Sequence, residues 1–505
     1  MNDENNNLYA EESIEKYSEI SDETAENNET YSKLDCIFAF IVMIISFFFV
    51  KFVVYSVPGF IATILYIAII TLSIVFLKKN GCTFSRFNKL LAAVLYLFSV
   101  VFSITDNQLI KLLCVAYMFI SGAYFVYSVS VGKNKIDRFL PFAFIKSIFE
   151  FPFISFGSGI GATKSVSHGS KFGSSIKMIL IGLCTTIPLT VVVGMLLMSA
   201  DEGVADILKN FTSIITNGNI IRLIWQLCIA VPCFCYLFGM LYSAAHKGKT
   251  RKLDDNACQE KLDGVRSVQN LILYTAVTPI CILYVIFFIS QANYFLSAFA
   301  GKLPDGYIYS DYARRGFFEL FAISLINLAV IIVINIIARN SGKNKPVGLK
   351  FYSIMLCVFT LVMIAVAVSK MVMYISAYGL TRLRFYTTWF MALCAIFFIL
   401  IIIKQLRYEF NASRWCTAAF TFMFALLCFS RPDAMIARFN IEMYNSGQLN
   451  QLDTDALLEM SDDSVLTAIE MGVVDVDDVS DMQTQKTERY RDMNLSSLII
   501  KMKLD

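Results

Sequence analysis

Histidine and charged residues are both scarce in this sequence. Only 2 of the 505 residues are histidine, so the H-E-x-x-H motif of zinc proteases is excluded. His168 and His246 both lie in basic segments between apolar runs, which disfavours an intramembrane Ser-His protease. Charged residues make up 16% of the chain, against about 25% in soluble domains. The net charge of +3 gives no support for a nucleic-acid partner.

Cysteine is absent after Arg431, and many of the earlier cysteines fall inside apolar runs, where a thiol acts as a small hydrophobe. We therefore expect no metal site and no cofactor. The segment 157–165, GSGIGATKS, resembles a phosphate-binding loop, but Thr163 stands where the Walker pattern requires glycine, so a flexible linker is expected. Because no nucleophile–base pair is visible either, the sequence nominates no catalytic residue.

Apolar residues are what the chain has in excess. They reach 57%, and the mean hydropathy is +0.61, which is typical of an all-α integral membrane protein. About 20 helical residues cross a hydrocarbon core, and eleven runs approach or exceed that length. The predicted spans are Cys36–Tyr55, Val57–Leu77, Lys89–Ile104, Ile110–Val131, Ile176–Ala200, Ile221–Tyr242, Leu271–Phe295, Phe317–Ile337, Phe351–Tyr374, Phe385–Lys404 and Trp415–Phe429.

Basic residues follow every second span, and such loops are typically cytoplasmic. This pattern places the amino terminus inside and, with an odd number of spans, the carboxyl terminus outside. We expect an acidic, disordered cytoplasmic tail over 1–35 and a transmembrane domain over 36–430. Residues 431–505 are predicted to form a small helical extracytoplasmic region, with helices over Pro432–Asn445, Asp453–Met460 and Ser461–Met471, the last capped by Ser461.

One apolar segment, 139–157, does not fit the alternation. It carries Lys146 and Glu150 at i, i+4 spacing and is interrupted by Pro141 and Pro152. We interpret it as an interfacial or re-entrant helix on the cytoplasmic side. The alternative is a twelfth span, which would invert every later loop.

Three polar segments are predicted to meet at the outer face: Tyr309–Leu320, the junction YGLTRLRFYTTWF (Tyr378–Phe390) and Arg431–Asn440. Gly379 is expected to form a tight turn, and Arg384 to be held by a polar group of one of the other two segments. Lys370 and Glu319 would both lie within hydrocarbon, where a charge needs a partner, so we expect them to pair. The alternative is that Lys370 snorkels outward to the interface by itself.

These segments also resemble a known family. GKLPDGYIYSDYARRGFFEL, KMVMYISAYGLTRLRFYTTWF, RPDAMIARFNIE and LLEMSDDSVLTAI look like blocks of bacterial multi-pass membrane proteins grouped as domains of unknown function DUF4173 and DUF4153, over roughly the last 350 residues of the 505. The resemblance implies this architecture in a bacterial cell membrane and no established activity. The candidate site residues are Tyr312, Arg314, Gly316, Glu319, Lys370, Tyr378, Gly379, Thr381 and Arg384.

Three function classes follow from this outer polar cluster. A regulatory, sensory or scaffolding protein would use it to receive a protein or small-molecule ligand. A permease would use Glu319, Lys370 and the proline-containing spans to line a pathway. An enzyme acting on a lipid-linked or envelope substrate would use arginines to hold an anionic head group. The first class is preferred because no catalytic constellation is visible. The lipid bilayer is the one partner common to all three.

Overall fold

The computed structural model describes most of the chain outside its first 30 residues. The described ranges are 31–166, 219–246, 255–266, 268–299, 317–338, 346–407, 409–475 and 493–504, with isolated positions between 186 and 207 and at 479. Most of the predicted acidic tail, nearly all of the predicted span Ile176–Ala200, and Tyr312, Arg314 and Gly316 lie outside these residues.

The described residues form α-helices joined by short connections. In chain order they are α1 (Lys33–Phe49, prolonged by a π-helical turn Val50–Val54), α2 (Phe60–Lys79), α3 (Arg86–Ser99), α4 (Val101–Ile104), α5 (Gln108–Ser130), α6 (Leu140–Ile145, followed by a π-helical turn Lys146–Glu150), α7 (Phe151–Ile154), α8 (Ser158–Val166), α9 (Asn219–His246), α10 (Asp255–Val265), α11 (Asn270–Phe299), α12 (Phe317–Ile337), α13 (Val347–Tyr378), α14 (Arg382–Leu406), α15 (Ala412–Phe429), α16 (Pro432–Asn445), α17 (Thr454–Glu459), α18 (Asp462–Glu470) and α19 (Leu495–Leu504). The all-α prediction is confirmed for these residues.

Among the described residues, eleven helical stretches are long and apolar enough to cross a membrane. Ten coincide with predicted spans, and the eleventh is Leu140–Thr163, which includes the segment interpreted as interfacial or re-entrant. The expected flexible linker at 157–165 is wrong, because Ser158–Val166 is helical. Its small residues instead permit close packing: a Cβ on Gly159 would lie 2.8 Å from the ring of Phe234.

The segment 140–152 packs on α5 in a crossed arrangement. Phe144 contacts Tyr124 at 5.4 Å between ring centroids, and Phe151 contacts Tyr127 at 5.1 Å. Phe144 and Phe151 lie about 10 Å apart along their helix, whereas Tyr124 and Tyr127 lie only about 4.5 Å apart along α5. The residue that is later in the segment also contacts the residue that is later in α5. A span following α5 would run antiparallel beside it. The crossing supports the interfacial interpretation, which stays a prediction.

The chain forms two compact units, Met1–Phe47 with Phe153–Tyr242 and Phe48–Pro152 with Ser243–Asp505. In the first, the rings of Tyr31 and Tyr242 contact each other at a tilt of 53°, with centroids 5.6 Å apart. In the second, α11, α12, α13 and α14 share a core rich in Met, Leu, Ile, Val and Phe, as expected of helices that pack with one another and face lipid elsewhere. Polar side chains join them too: Tyr284 donates to Asn327, which donates to Thr360.

The second unit has two chemically different ends. At one end, Ser85 donates to the carbonyl of Lys133 and Ser413 to that of Arg138, so three of the basic connections lie together. At the other end the backbone N–H of Phe60, which begins α2, donates to the carbonyl of Met493. Since α2 has 20 residues and ends at Lys79, about 30 Å separates the two ends. The orientation of these ends in the membrane stays a prediction.

Helices α16 to α19 follow the last candidate span and share a separate apolar core. Its buried members are Ala437, Ile441, Leu457, Val465, Leu466, Ala468, Val474, Val479 and Ile500. We call residues 431–504 the C-terminal helical region. The three helices predicted here are present, with α17 and α18 slightly shorter than expected. This region is therefore packed against the starts of membrane-length helices, next to the polar connections described below.

Candidate functional site

The turn between α13 and α14 is held by the C-terminal helical region. Gly379 has φ +73°, as expected for the tight turn, and a Cβ at this position would lie 2.7 Å from Oδ1 of Asn440. Asn440 accepts from the backbone N–H of Leu380 at 2.6 Å and donates to its carbonyl at 2.8 Å. Thr381 is the N-cap of α14. Glycine is needed here both for the backbone conformation and for the close approach of Asn440.

The predicted partner of Arg384 is wrong. Its guanidinium donates to the carbonyls of Tyr378 and Gly379, at 3.1 and 2.5 Å, and lies 3.9 Å from the ring centroid of Tyr374. These contacts are all within its own segment. The reason is geometric: Arg384 lies in the first turn of α14, where its side chain reaches back over the turn and closes it.

Arg382, which the sequence reasoning did not single out, makes the cross-segment contact instead. Its Nε and Nη2 donate to the two carboxylate oxygens of Asp433 at 2.9 and 2.8 Å. Asp433 is fully buried in the first turn of α16 and also accepts from Asn107, which in turn donates to the hydroxyl of Tyr386. A bidentate guanidinium–carboxylate pair is a strong and directional contact.

Asp463 accepts five hydrogen bonds from described residues. It is fully buried and accepts from Nε and Nη2 of Arg431 at 3.2 and 3.1 Å, and from the hydroxyl of Ser496 at 2.5 Å. Its second oxygen accepts from the Thr105 hydroxyl at 2.5 Å and from the backbone N–H of Asp106 at 3.2 Å. The Asp463 carboxylate thus joins the α4–α5 connection to α16, α18 and α19.

A cavity of about 770 Å³ opens beside these two networks. That volume is within the usual range of small-molecule sites, about 300–1,000 Å³. Helices α5, α14, α17, α18 and α19 contribute to it. Among the described residues, the polar ones that line it are Asp106, Asn107, Gln108, Arg382, Tyr386, Glu459, Ser461, Asp462 and Ser497, and the apolar ones are Val57, Leu109, Leu383, Met460 and Met493.

Two carboxylates of the cavity influence each other. Burial raises the pKa of Asp106 above its ordinary value, Lys111 opposes this, and the neighbouring charge of Asp462 adds to the rise. The ammonium of Lys111 is 3.1 Å from Asp106 and almost completely buried. Asp462 accepts from the hydroxyl of Ser497 at 2.6 Å. The cavity therefore holds two neighbouring, largely buried carboxylates, and Asp106 has Lys111 as its cationic partner.

Ser461 occupies the N-cap position of α18, as predicted, but its hydroxyl makes no capping hydrogen bond. The side chain is 4% exposed, and within the described part of the chain its Oγ has no hydrogen-bond partner. A buried hydroxyl without a partner costs free energy, and this oxygen has almost no accessible surface.

Glu319 and Lys370 lie outside this cavity. Glu319 is exposed in the first turn of α12, and Lys370 is buried in α13 with an exposed fraction of 8%. Glu319 is among the charges that interact electrostatically with Lys370. This proximity agrees with the expected pairing, which stays a prediction. The structure brings together only Tyr378, Gly379, Thr381 and Arg384 among the other candidates that it describes.

The site residues that were not predicted do have a sequence signal, because they are polar residues in short connections between helices. Thr105, Asp106 and Asn107 are three polar residues between two apolar helices, and Asp462 and Asp463 are adjacent acids at a helix start. Which of them would meet depends on contacts more than 300 residues apart in the chain, such as Thr105 with Asp463. The arrangement can bind and orient a polar molecule. Within the described residues, no cluster of three or more His, Cys, Asp or Glu side chains could hold a metal ion.

A family model described as "Domain of unknown function (DUF4153)" matches residues 92–471. This is well over half of the chain and includes α5, α14, α16 and α18, which carry the two ion-pair networks. The chain therefore belongs to that family, and the DUF4153 part of the resemblance is confirmed. A search of curated proteins and a search of solved structures found no significant match.

Proposed function

Starting from a multi-pass membrane protein of the DUF4153 family, we propose that it is a sensory or regulatory protein whose cavity receives a ligand at the outer face. The observation that carries the proposal is the placement of this cavity between the C-terminal helical region and the starts of α5 and α14. A ligand bound there contacts both parts, so its binding changes the relative free energies of the conformations of the junction between them.

Two buried carboxylates make this junction suited to transmission. Asp433 pairs with Arg382 at the start of α14. Asp463 pairs with Arg431 within the C-terminal helical region and accepts hydrogen bonds from Thr105 and Asp106 in the α4–α5 connection. Arg382 both pairs with Asp433 and lines the cavity, so an occupant can compete for or reinforce that pair. Helix α14 then runs from Arg382 to Leu406, about 36 Å, towards the basic connections at the opposite end. A rigid helix of that length can carry a shift from one end to the other.

Hydrogen–deuterium exchange of the protein in lipid nanodiscs tests the transmission. Asp433→Asn is compared with Asp455→Asn, which makes the same charge change at an exposed position of α17. We expect faster exchange in Asp433→Asn both around 379–384 and at the far connection around 407–414, with no change in the control. Faster exchange confined to the near side would mean that the ion pair only holds the fold, and would contradict a regulatory role.

The sidedness is tested with epitope insertions. One is placed in the exposed turn at Gly447, and a second in the turn at Gly81, which follows α2 at the opposite end of the unit. In intact cells we expect an antibody to bind the first and not the second until the cells are permeabilised. The reverse result would put the cavity on the cytoplasmic side.

A permease is the second candidate, because polar side chains lie within the spans. Tyr284, Asn327 and Thr360 form a hydrogen-bonded chain across α11, α12 and α13. Such contacts also stabilise ordinary helix packing, at about 0.6 kcal/mol each on average. Proton flux into proteoliposomes that Asn327→Leu abolishes without unfolding the protein would favour the permease over the sensor.

A further inference from the structure

A groove of about 620 Å³ lies between α2 and α3 at the basic end of the second unit, and we call it the basic groove. The described residues that line it come from the two helices and from the connection between them: Ile74, Lys78, Cys82, Thr83, Phe84, Lys89, Ala92, Ala93 and Tyr96. Val57, which precedes α2, lines the cavity at the other end of the unit. The whole length of α2 therefore separates the basic groove from the cavity.

Each wall of the basic groove has a lysine near the connection and apolar residues beyond it. The wall on α3 is one helical stripe, with residues at i, i+3, i+4 and i+7: Lys89, Ala92, Ala93 and Tyr96. On α2, Ile74 and Lys78 lie one turn apart on the same face. Both helices belong to candidate spans, Phe60–Lys79 and Arg86–Ile104. The lysines therefore lie at the ends of the spans, and the apolar residues lie within them.

A hydrogen bond marks the inner end of the basic groove. The hydroxyls of Thr71 and Tyr96 are 2.8 Å apart, and each residue lies seven positions from the lysine of its own helix. The small side chains of Ala92 and Ala93 leave the space between this hydrogen bond and the connection. Seven helical residues span about 10 Å, so the groove extends about that far from the lysines into the apolar part of the spans.

The two lysines of the basic groove have charges that no described residue neutralises. Lys78 and Lys89 are both exposed, and within the described part of the chain neither makes an ion pair. The sequence contains no aspartate or glutamate between Asp35 and Asp106, so the hairpin of α2 and α3 carries no carboxylate of its own. A ligand with a negative charge is therefore attracted to this end of the groove.

The neighbouring connection adds further positive charge. The hydroxyl of Ser85 donates to the carbonyl of Lys133, so the α5–α6 connection lies next to the α2–α3 connection. Asp137 is the one carboxylate of the α5–α6 connection, and it pairs with Lys133. Lys135 and Arg138 leave this connection with a net positive charge. The surroundings of the basic groove thus favour the same sign of ligand as its own lysines.

We infer that the basic groove binds an anionic phospholipid. The phosphodiester lies against the ammonium groups of Lys78 and Lys89, and one acyl chain lies along Ile74 and the two alanines. Lysine binds phosphate as a point charge, and basic pockets between membrane helices suit anionic head groups. A soluble anion would use the lysine end alone, so the apolar walls favour a lipid. The inference concerns the end opposite to the cavity and does not depend on the proposed sensory role.

Lipid binding is measured by native mass spectrometry of the purified full-length protein in detergent. The probes are phosphatidylglycerol, phosphatidylcholine with the same acyl chains, and glycerol phosphate, which has the anionic group without a chain. We expect the first phosphatidylglycerol to bind at least about tenfold more tightly than phosphatidylcholine, and no saturable binding of glycerol phosphate. Equal affinities for the two lipids would overturn the inference. Glycerol phosphate binding as strong as that of phosphatidylglycerol would also overturn it, because the ligand would then be a soluble anion.

Charge variants assign the binding to the two lysines. Lys78→Gln and Lys89→Gln should each weaken phosphatidylglycerol binding about fivefold, as expected for one lysine beside an anionic head group. Lys135→Gln removes an exposed lysine of the same end that does not line the groove, and it should leave the affinity unchanged. All three variants should keep the ligand-free unfolding midpoint. Equal losses of affinity in the three would mean that the field of the whole basic end attracts the lipid, which would contradict a site.

A further variant fills the basic groove without changing its charge. Ala93 is exposed, so Ala93→Leu should fold normally and weaken phosphatidylglycerol binding severalfold by occupying the place of the acyl chain. Ala116→Leu makes the same change at an exposed position of α5 outside the groove and should leave binding unchanged. Unchanged binding in Ala93→Leu would overturn the inference. So would a lipid-free dimer in the wild-type spectra that Ala93→Leu abolishes, because a second copy of the chain would then occupy the groove.

Discussion

The two ends of the larger unit use charge in different ways. At the end that carries the cavity, Arg382–Asp433 and Arg431–Asp463 join residues 51 and 32 positions apart, and both carboxylates are fully buried. At the opposite end the ion pairs among the described residues are local: Lys133–Asp137 and Lys146–Glu150 are each i, i+4. Two ion pairs at the cavity end therefore hold separate segments together, whereas the described ion pairs of the opposite end lie within single turns.

This difference explains why the basic end could be predicted from the sequence better than the cavity end. Basic residues in loops act through their number and position, which a sequence displays directly. Buried pairs act through geometry, and removing one partner leaves an uncompensated charge. We therefore expect substitutions at the cavity end to change folding strongly and those at the basic end to change it little.

The largest effect is expected from Asp463→Asn. The substitution removes the charge that pairs with Arg431 and weakens five hydrogen bonds, so it should lower the free energy of unfolding by about 3–5 kcal/mol. Unfolding of the detergent-solubilised protein followed by tryptophan fluorescence and circular dichroism measures it, with Asp455→Asn as the control. Equal midpoints in the two variants would mean that the buried pair does not stabilise the junction.

The next largest effect concerns Glu319 and Lys370. A charge left alone in the hydrocarbon costs about 2.5–3.5 kcal/mol on insertion scales. Glu319→Gln and Lys370→Met should each lower the midpoint, and the double variant should lose less than the sum of the two. Strict additivity would contradict the pairing and leave Lys370 to reach the interface by itself.

Arg382→Lys and Arg384→Lys compare a cross-segment contact with a local contact within the same helical turn. Lysine keeps the charge but loses the planar fork, so Arg382→Lys should weaken the contact with Asp433, by about 1–2 kcal/mol because Arg382 is partly solvated. Arg384→Lys should also destabilise the turn, since Arg384 bonds two carbonyls and stacks on Tyr374. In Asp433→Asn the Arg382 substitution should lose its effect, while the Arg384 substitution should keep it. Loss of both effects would mean that the two arginines share one network.

Comparing Gly379→Ala with Gly447→Ala separates the cost of backbone strain at positive φ from the cost of a clash between a Cβ and Asn440. Gly379 and Gly447 both have positive φ, but only Gly379 has Asn440 where a Cβ would stand. A positive φ costs alanine about 1–2 kcal/mol. Gly447→Ala should show that cost alone, and Gly379→Ala should lose more in the same thermal unfolding assay. Equal losses would show that Asn440 moves aside freely.

The smallest effect is expected at the opposite end. Lys146 and Glu150 are 3.8 Å apart, and Glu150 is 39% exposed. Glu150→Gln should lower stability by no more than about 0.5 kcal/mol, as exposed i, i+4 pairs do. A loss of more than 2 kcal/mol measured by the same unfolding would mean that the segment 140–152 carries tertiary structure that its local contacts do not reveal.

The sequence predicted the helices because their signal is local. Apolar runs of membrane length marked ten spans, and the bounds of Pro432–Asn445 were correct to the residue. The sequence pattern also indicated the Gly379 turn. The site was predicted in part: the three segments were recognised as polar, but Arg384 was chosen where Arg382 makes the contact. The two arginines lie on the same first turn, and the partner depends on which helix face meets α16.

The carboxylate network was not predictable in the same way. Asp463 gathers donors from Thr105, Asp106, Arg431 and Ser496, which come from three separate segments. Nothing in the local pattern of any one segment distinguishes it from a solvated loop. Ser461 shows the converse, since a good capping residue stands at the cap position and its hydroxyl bonds to nothing there.

The contacts of Met493 and Asp463 have a consequence for biogenesis. Phe60 and Thr105 belong to the first spans to leave the ribosome, yet their partners Met493 and Asp463 are made after every span has been synthesised. After the early helices have inserted, the N–H of Phe60 and the hydroxyl of Thr105 therefore stay hydrogen-bonded to water until the C-terminal helical region has been synthesised and reaches them. Folding of this end is therefore a late, post-insertion event, and a chain stalled after α15 exposes an unfinished surface that quality-control proteases can recognise.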